Sequence, residues 1–271
     1  TDDGVTWHSK VTPDCSGAQG VSINQLSDGV LIVNNFHIRF IHQTGQTEIT
    51  KRLKENNWPS SSILDGIYVT RSIDSGRTWE NERRIETPVG FPSTAGRIVE
   101  INDGTLLMPI AGTNSQSEPH GIWVLGSDDK GDNWYRRGTV ISSNDPDIPD
   151  WGFSTDILAE IDTSARERRF SNAGYHEPRL LALPSGRILI GMRAALANFF
   201  TAYSDDGART WSRPEETSIY CNGSSPFDLL LLEDGRVLAT YGHRRPPWGV
   251  RACLSEDQGR TWRIEKEIVL R

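Results

Sequence analysis

Short apolar runs broken by turn residues recur along the whole chain, and their spacing predicts strands rather than long helices. Four segments share one form: Leu26-Ser-Asp-Gly-Val-Leu, Ile101-Asn-Asp-Gly-Thr-Leu, Leu183-Pro-Ser-Gly-Arg-Ile and Leu232-Glu-Asp-Gly-Arg-Val. In each, a Gly-containing turn is flanked by alternating or fully apolar residues, as in Arg187-Ile-Leu-Ile-Gly-Met and Arg236-Val-Leu-Ala-Thr-Tyr. That is the pattern of a β-hairpin.

A second pattern, Ser-x-Asp-x-Gly-x-Thr-Trp, alternates with the first. Ser72, Asp74, Gly76, Thr78 and Trp79 match it in full, as do Ser255, Asp257, Gly259, Thr261 and Trp262. Ser127, Asp129, Gly131 and Trp134 form a copy with Asn133 in place of Thr, and Ser204, Asp206, Thr210 and Trp211 one with Ala208 in place of Gly. Asp2, Gly4, Thr6 and Trp7 supply the end of a fifth. Asp accepts hydrogen bonds from backbone amides in a tight turn, and Gly takes the positive φ such turns need. Five of the nine tryptophans fill the last position, which assigns them to packing under a hairpin. With one such Asp per unit, Asp2, Asp74, Asp129, Asp206 and Asp257 read as structural, not as a carboxylate cluster.

Two strands around the Gly turn, a third entering the Asp turn and a fourth leaving it make one antiparallel blade. The expectation is therefore all-β: a single propeller domain over 1–271, with blades at about 8–79, 80–134, 135–211 and 212–262 and flanking strands at 1–7 and 263–271. No unit of this size buries both faces alone, so each must stack on its neighbours. The polar insertion from about His37 to Ser62 reads as a surface loop with a short helix around Lys51 to Glu55. The stretch from Asp162 to Tyr175 also reads as loop.

Composition narrows the function. The 271 residues are 36% hydrophobic and 24% charged with a formal net charge of −7, values of a globular chain. No apolar run approaches the roughly 20 residues of a membrane helix. An acidic balance without a Lys/Arg run argues against nucleic acid as the main partner. Cys15, Cys221 and Cys253 lack metal or disulfide spacing and read as buried apolar residues. His176 stands beside Glu177, but the other histidines show no ligand spacing, so neither metal nor cofactor is expected. No basic segment followed by an apolar stretch opens the chain, so any signal peptide is taken as removed or never present. Trp58 and Trp248, outside the repeats, suit either packing or stacking on a sugar. Oligomeric state is open.

The Asp boxes, with Glu177-Pro178 ahead of a strand ending in Arg193, resemble the sialidase family of six-bladed propellers. The resemblance spans nearly the whole chain, with 1–7 matching the end of the first blade and the units above matching blades two to five. It implies that three arginines hold the carboxylate of a sialic acid, a glutamate assists a tyrosine nucleophile, and an aspartate is acid and base. A neutral phenol attacks a carbon already bearing a carboxylate more readily than an anion would.

By that resemblance Glu177 is the assisting glutamate and Arg193 the second arginine. Arg245, then Arg244, with Arg251 as a further candidate, would be the third. The first arginine and the aspartate belong to the first-blade core and the tyrosine to the last blade. None of Tyr68, Tyr135, Tyr175, Tyr203, Tyr220 and Tyr241 occupies that late position. The implied partner is a sialylated or other acidic glycan, and the implied location secreted or periplasmic. Two alternatives stay open: a glycan-binding propeller without catalysis, and a lyase acting on uronic acids.

Overall fold

Each Gly turn closes in the same way. The amides of Gly29, Gly104, Gly186 and Gly235 donate to the carbonyls of Leu26, Ile101, Leu183 and Leu232 at 2.8–2.9 Å. All four glycines have φ between 84° and 90°, open to residues without a Cβ at little cost. In the computed structural model, residues 18–42, 51, 60–114, 118–148, 174–194, 198–220, 225–244 and 246–270 are described.

Four antiparallel sheets follow in chain order and are arranged as a four-bladed β-propeller. The first holds β1 (Ala18–Gln25), β2 (Leu31–His42), β3 (Ser60–Ser72) and β4 (Arg83–Arg84). The second holds β5 (Phe91–Ser93), β6 (Val99–Glu100), β7 (Leu106–Thr113), β8 (Gly121–Ser127) and β9 (Tyr135–Ile141). The third holds β10 (Tyr175–Ala182), β11 (Ile188–Ala194), β12 (Asn198–Ser204) and β13 (Glu215–Tyr220). The fourth holds β14 (Phe227–Leu231), β15 (Val237–His243), β16 (Gly249–Ser255) and β17 (Ile268–Val269).

The repeated Asp turns join the third and fourth strands of the sheets. The Ser72 hydroxyl donates to Asp74 Oδ1 at 2.9 Å and accepts from the Gly76 amide at 2.8 Å. The Thr78 amide and hydroxyl donate to the same carboxylate at 2.8 and 2.7 Å. Asn133 replaces Thr without loss, because its amide and its side-chain Nδ2 donate to Asp129 at 2.8 and 2.7 Å. Ala208 takes the Gly position at φ 68° and keeps the amide bond to Ser204 Oγ at 2.9 Å. These amide donors hold the Asp74 and Asp129 carboxyls down at about 2.

Three apolar cores lie between successive sheets. Leu26, Ile32, Ile67 and Val69 of the first pack with Leu106, Met108 and Ile110 of the second. Leu107, Ile122 and Val124 pack with Ile188, Ile190 and Met192 of the third. Leu189 and Phe199 pack with Phe227, Val237, Ala239 and Trp262 of the fourth. Alternate residues of β11 therefore enter opposite cores, as a pleated strand buried on both faces requires. Cys253 is buried in the last of these cores, and burial pushes its thiol up to about 11. Cys15 and Cys221 lie outside the described residues.

The insertion differs from its expected form. β2 runs on through His42 and β3 starts at Ser60, with His42 opposite Ser60, so both ends of the insertion lengthen one hairpin. The apolar positions Phe36 and Ile38 alternate with the polar His37 and Arg39, which suits a strand there. Of the expected helix, Lys51 alone is described, and Asp162 to Ala173 also lie outside the described residues. Among the described residues, no helix is long and apolar enough to cross a membrane.

Candidate active site

β10 opens with Tyr175, His176 and Glu177, and its register against β11 breaks there. His176 lies opposite Arg193 and Arg179 opposite Gly191, so Glu177 and Pro178 together face Met192 alone. This is a β-bulge, a device that re-aims a side chain. Glu177 takes φ 48°, a left-handed value uncommon for a residue with a long side chain. Its carboxylate turns to Arg193, whose Nη2 donates to Oε1 at 3.0 Å while Nε stands 3.0 Å from Oε2. The Arg193 side chain is 12% exposed and the Glu177 side chain 34%, and Glu177 Oε2 is itself buried against the guanidinium.

Two histidines flank this pair. His120, from the connection between β7 and β8, meets His176 ring to ring at 4.5 Å. The His120 carbonyl accepts the Tyr175 amide at 2.8 Å, which fixes the start of β10 to the second sheet. Burial, and then the positive charge of Arg193, push His120 down to about 4. It is a neutral imidazole at pH 7. Tyr175 is itself buried, edge-on to Phe200, and burial raises its phenol to about 12. Among the described residues, no three His, Cys, Asp or Glu side chains gather as a metal site.

Arg251 lies within β16, in a network of its own. Its Nη1 donates to Glu267 Oε2 and its Nη2 to the Pro247 carbonyl at 3.3 Å. Tyr241 donates its hydroxyl to Glu267 Oε1 at 2.5 Å. Burial pushes the Glu267 carboxyl up, but Tyr241 and Arg251 together hold it below the usual range. Arg193 pairs with Phe199 across its sheet and Arg251 with Tyr241 across the next, and those two rings meet edge to face at 5.8 Å. Arg244 is exposed just beyond β15, and Trp248 is 67% exposed nearby. Arg245, Asp2 and Trp58 lie outside the described residues.

The structure also brings together charged residues that sequence reasoning passed over. Arg97, Arg179 and Asp228 converge from three sheets, with Arg97 Nη2 donating to Asp228 Oδ2 at 2.9 Å. Arg97 and Asp228 each interrupt an otherwise apolar or small-residue stretch, which was the available signal for those two. Asp74, Asp129, Asp206 and Asp257 stay in their turns, each hydrogen-bonded to a neighbouring Ser hydroxyl.

A family model described as a BNR repeat-like domain matches residues 43–270. No curated protein matches the chain by sequence. Among solved structures, a Dyadobacter fermentans protein of unknown function is similar at 24% identity and TM-score 0.71, over 100% of this chain and 70% of that one. A Hadza microbial sialidase is similar at 16% identity and TM-score 0.63, over 100% of this chain and 51% of that one. The α-L-arabinanase of Penicillium chrysogenum, solved with arabinobiose, is similar at 16% identity and TM-score 0.57, over 89% and 64%. At these identities the likeness is one of fold, and the chain spans about half to two thirds of the two named glycan-acting proteins. From the family match over most of its length and the four-sheet propeller, the chain belongs to the BNR repeat-like domain family.

Proposed function

We propose that the protein is a sialidase-like glycoside hydrolase that removes a terminal sialic acid or a related acidic sugar. The observation that carries this is Glu177: a carboxylate on a left-handed bulge residue, held by the guanidinium opposite. A backbone position of that kind costs about 1–3 kcal/mol and clusters at functional sites. In this reading Arg193 fixes Glu177, which assists the nucleophile. By the same resemblance Arg245 or Arg244 is the further arginine that would meet the sugar's carboxylate. The repeated turns are read as Asp boxes, and the sialidase among the similar folds supports the assignment.

A second reading, a glycan-binding propeller without turnover, is favoured by two observations. The guanidiniums of Arg193 and Arg251 each already hold a carboxylate. Tyr175 and Tyr241, the tyrosines beside them, are buried, with phenols raised above their ordinary value, so neither is a ready nucleophile.

Hydrolysis of a fluorogenic sialoside, with Glu177→Gln beside the parent and free sialic acid identified as product, separates these. Turnover in the parent that falls at least a hundredfold in the variant supports the hydrolase. Binding without turnover in folded parent supports the second reading. Absence of both rejects the acidic-sugar assignment.

A further inference from the structure

Among the described residues, Trp248 is the one exposed tryptophan, whereas Trp123 and Trp262 are buried. It lies between β15 and β16, outside the repeated turns, and belongs to none of the three apolar cores. An indole left in water forgoes the gain that its large apolar area would bring on burial. Packing therefore does not account for its place.

The backbone that carries the indole is fixed on both sides. His243 pairs with Gly249 and closes the hairpin. His243 Nδ1 and Arg251 Nη2 both donate to the Pro247 carbonyl, at 3.1 and 3.3 Å. Pro246 and Pro247, whose rings restrict φ, stand directly ahead of Trp248. A side chain presented by an ordered segment binds a ligand without the cost of ordering that segment.

The hairpin is also at the end of the molecule where Glu177 lies. β11 and β15 each run away from a Gly turn, and Gly242 stands as far beyond Gly235 as Arg193 stands beyond Gly186. Their sheets share a core, in which Phe199 and Tyr241 meet edge to face. Trp248 thus stands at the same end of the propeller as the Glu177 pair, one sheet further on.

We propose that Trp248 is a platform for a second sugar, its indole covering one face of the pyranose to which the acidic sugar is joined. A pyranose carries hydroxyls around its rim and C–H groups on its faces. An indole can therefore remove apolar area from water while the hydroxyls keep their hydrogen bonds. The inference rests on the acidic-sugar reading and makes the ligand of that site a glycan of two or more sugars, in preference to a free acidic monosaccharide.

The test is calorimetric titration of the intact chain with 3′-sialyllactose and with the methyl α-glycoside of N-acetylneuraminic acid, with lactose alongside. The first ligand carries the second sugar and the methyl glycoside lacks it. 3′-Sialyllactose is expected to bind about fivefold more tightly, the scale of one aromatic contact. Trp248→Ala should abolish that advantage, and Trp248→Phe, which keeps an aromatic face, should retain most of it. Urea midpoints confirm that both variants fold, as substitution of an exposed side chain allows. Equal binding of the two sialosides by the parent overturns the proposal, as does an advantage that survives Trp248→Ala. Lactose binding that depends on Trp248, in a protein that binds neither sialoside, upholds the platform and rejects the acidic-sugar reading. Binding of none of the three sugars overturns both.

Discussion

A Cβ on Gly96 would lie 2.5 Å from the carbonyl oxygen of Pro178, nearer than a side chain can sit. Gly96 precedes β6 in the second sheet, and Pro178 follows Glu177 in the bulge of the third. The second sheet thus presses on the backbone that aims the candidate carboxylate. Gly20 stands to Thr94 in the same way one sheet earlier, at 2.3 Å.

Gly96→Ala is expected to lower stability by about 1–3 kcal/mol, the usual cost of overpacking a tight site. It should also weaken any Glu177-dependent activity, because relief requires the bulge to move. Urea denaturation and the activity assay, run on the same preparation, check both effects.

Glu177→Asn and Glu177→Val both remove the partner of Arg193, so that loss cancels between them. What remains is the backbone: Asn tolerates a left-handed φ and a β-branched residue does not. The Val variant should be less stable by a further ~1–2 kcal/mol. Equal denaturation midpoints would show that the bulge relaxes in the variants.

His120 has a proton affinity below that of a free histidine, at about 4 against 6.5. Between those values the unfolded chain holds a proton that the folded chain does not. The contribution to stability is therefore complete above about pH 6.5 and is lost as pH falls toward 4, by at most about 1.4 kcal/mol per pH unit. A His120→Gln variant should show a flatter stability profile over that window, measured by urea midpoints at a series of pH values.

Asp129 works lower on the scale, with its folded carboxyl at about 2 against an ordinary 3.8. Replacing it with Asn should cost about 1 kcal/mol at neutral pH, since the turn is exposed and solvent screens the bonds. The gap between parent and variant should hold steady down to about pH 4 and close toward pH 2. A gap unchanged at pH 2 would mean that the charge of Asp129 does not support the turn.

The hairpins and Asp turns were legible because their causes lie within a few residues: a Gly at positive φ, or a Ser two places before its Asp. Even the replacements of Thr by Asn133 and of Gly by Ala208 preserved the same hydrogen bonds. Glu177 and Arg193 were singled out through a resemblance, in separate roles, and their contact with each other across β10 and β11 comes from the structure alone. The left-handed backbone of Glu177 was not legible, since a glutamate has no local preference for it and the bulge lies where Gly96 of another sheet comes close to Pro178. His120 and His176 are far apart in sequence and meet where two sheets touch. Arg97, Arg179 and Asp228 escaped for the same reason, being separated along the chain and joined at the axis.

The alternation along β11 makes that strand a party wall. Ile188, Ile190 and Met192 serve one room, and Leu189 serves the other. Damage on one side need not breach the next, so neighbouring seams can loosen independently, with the wall itself left standing. A protein put together in this way fails by partition before it fails as a whole.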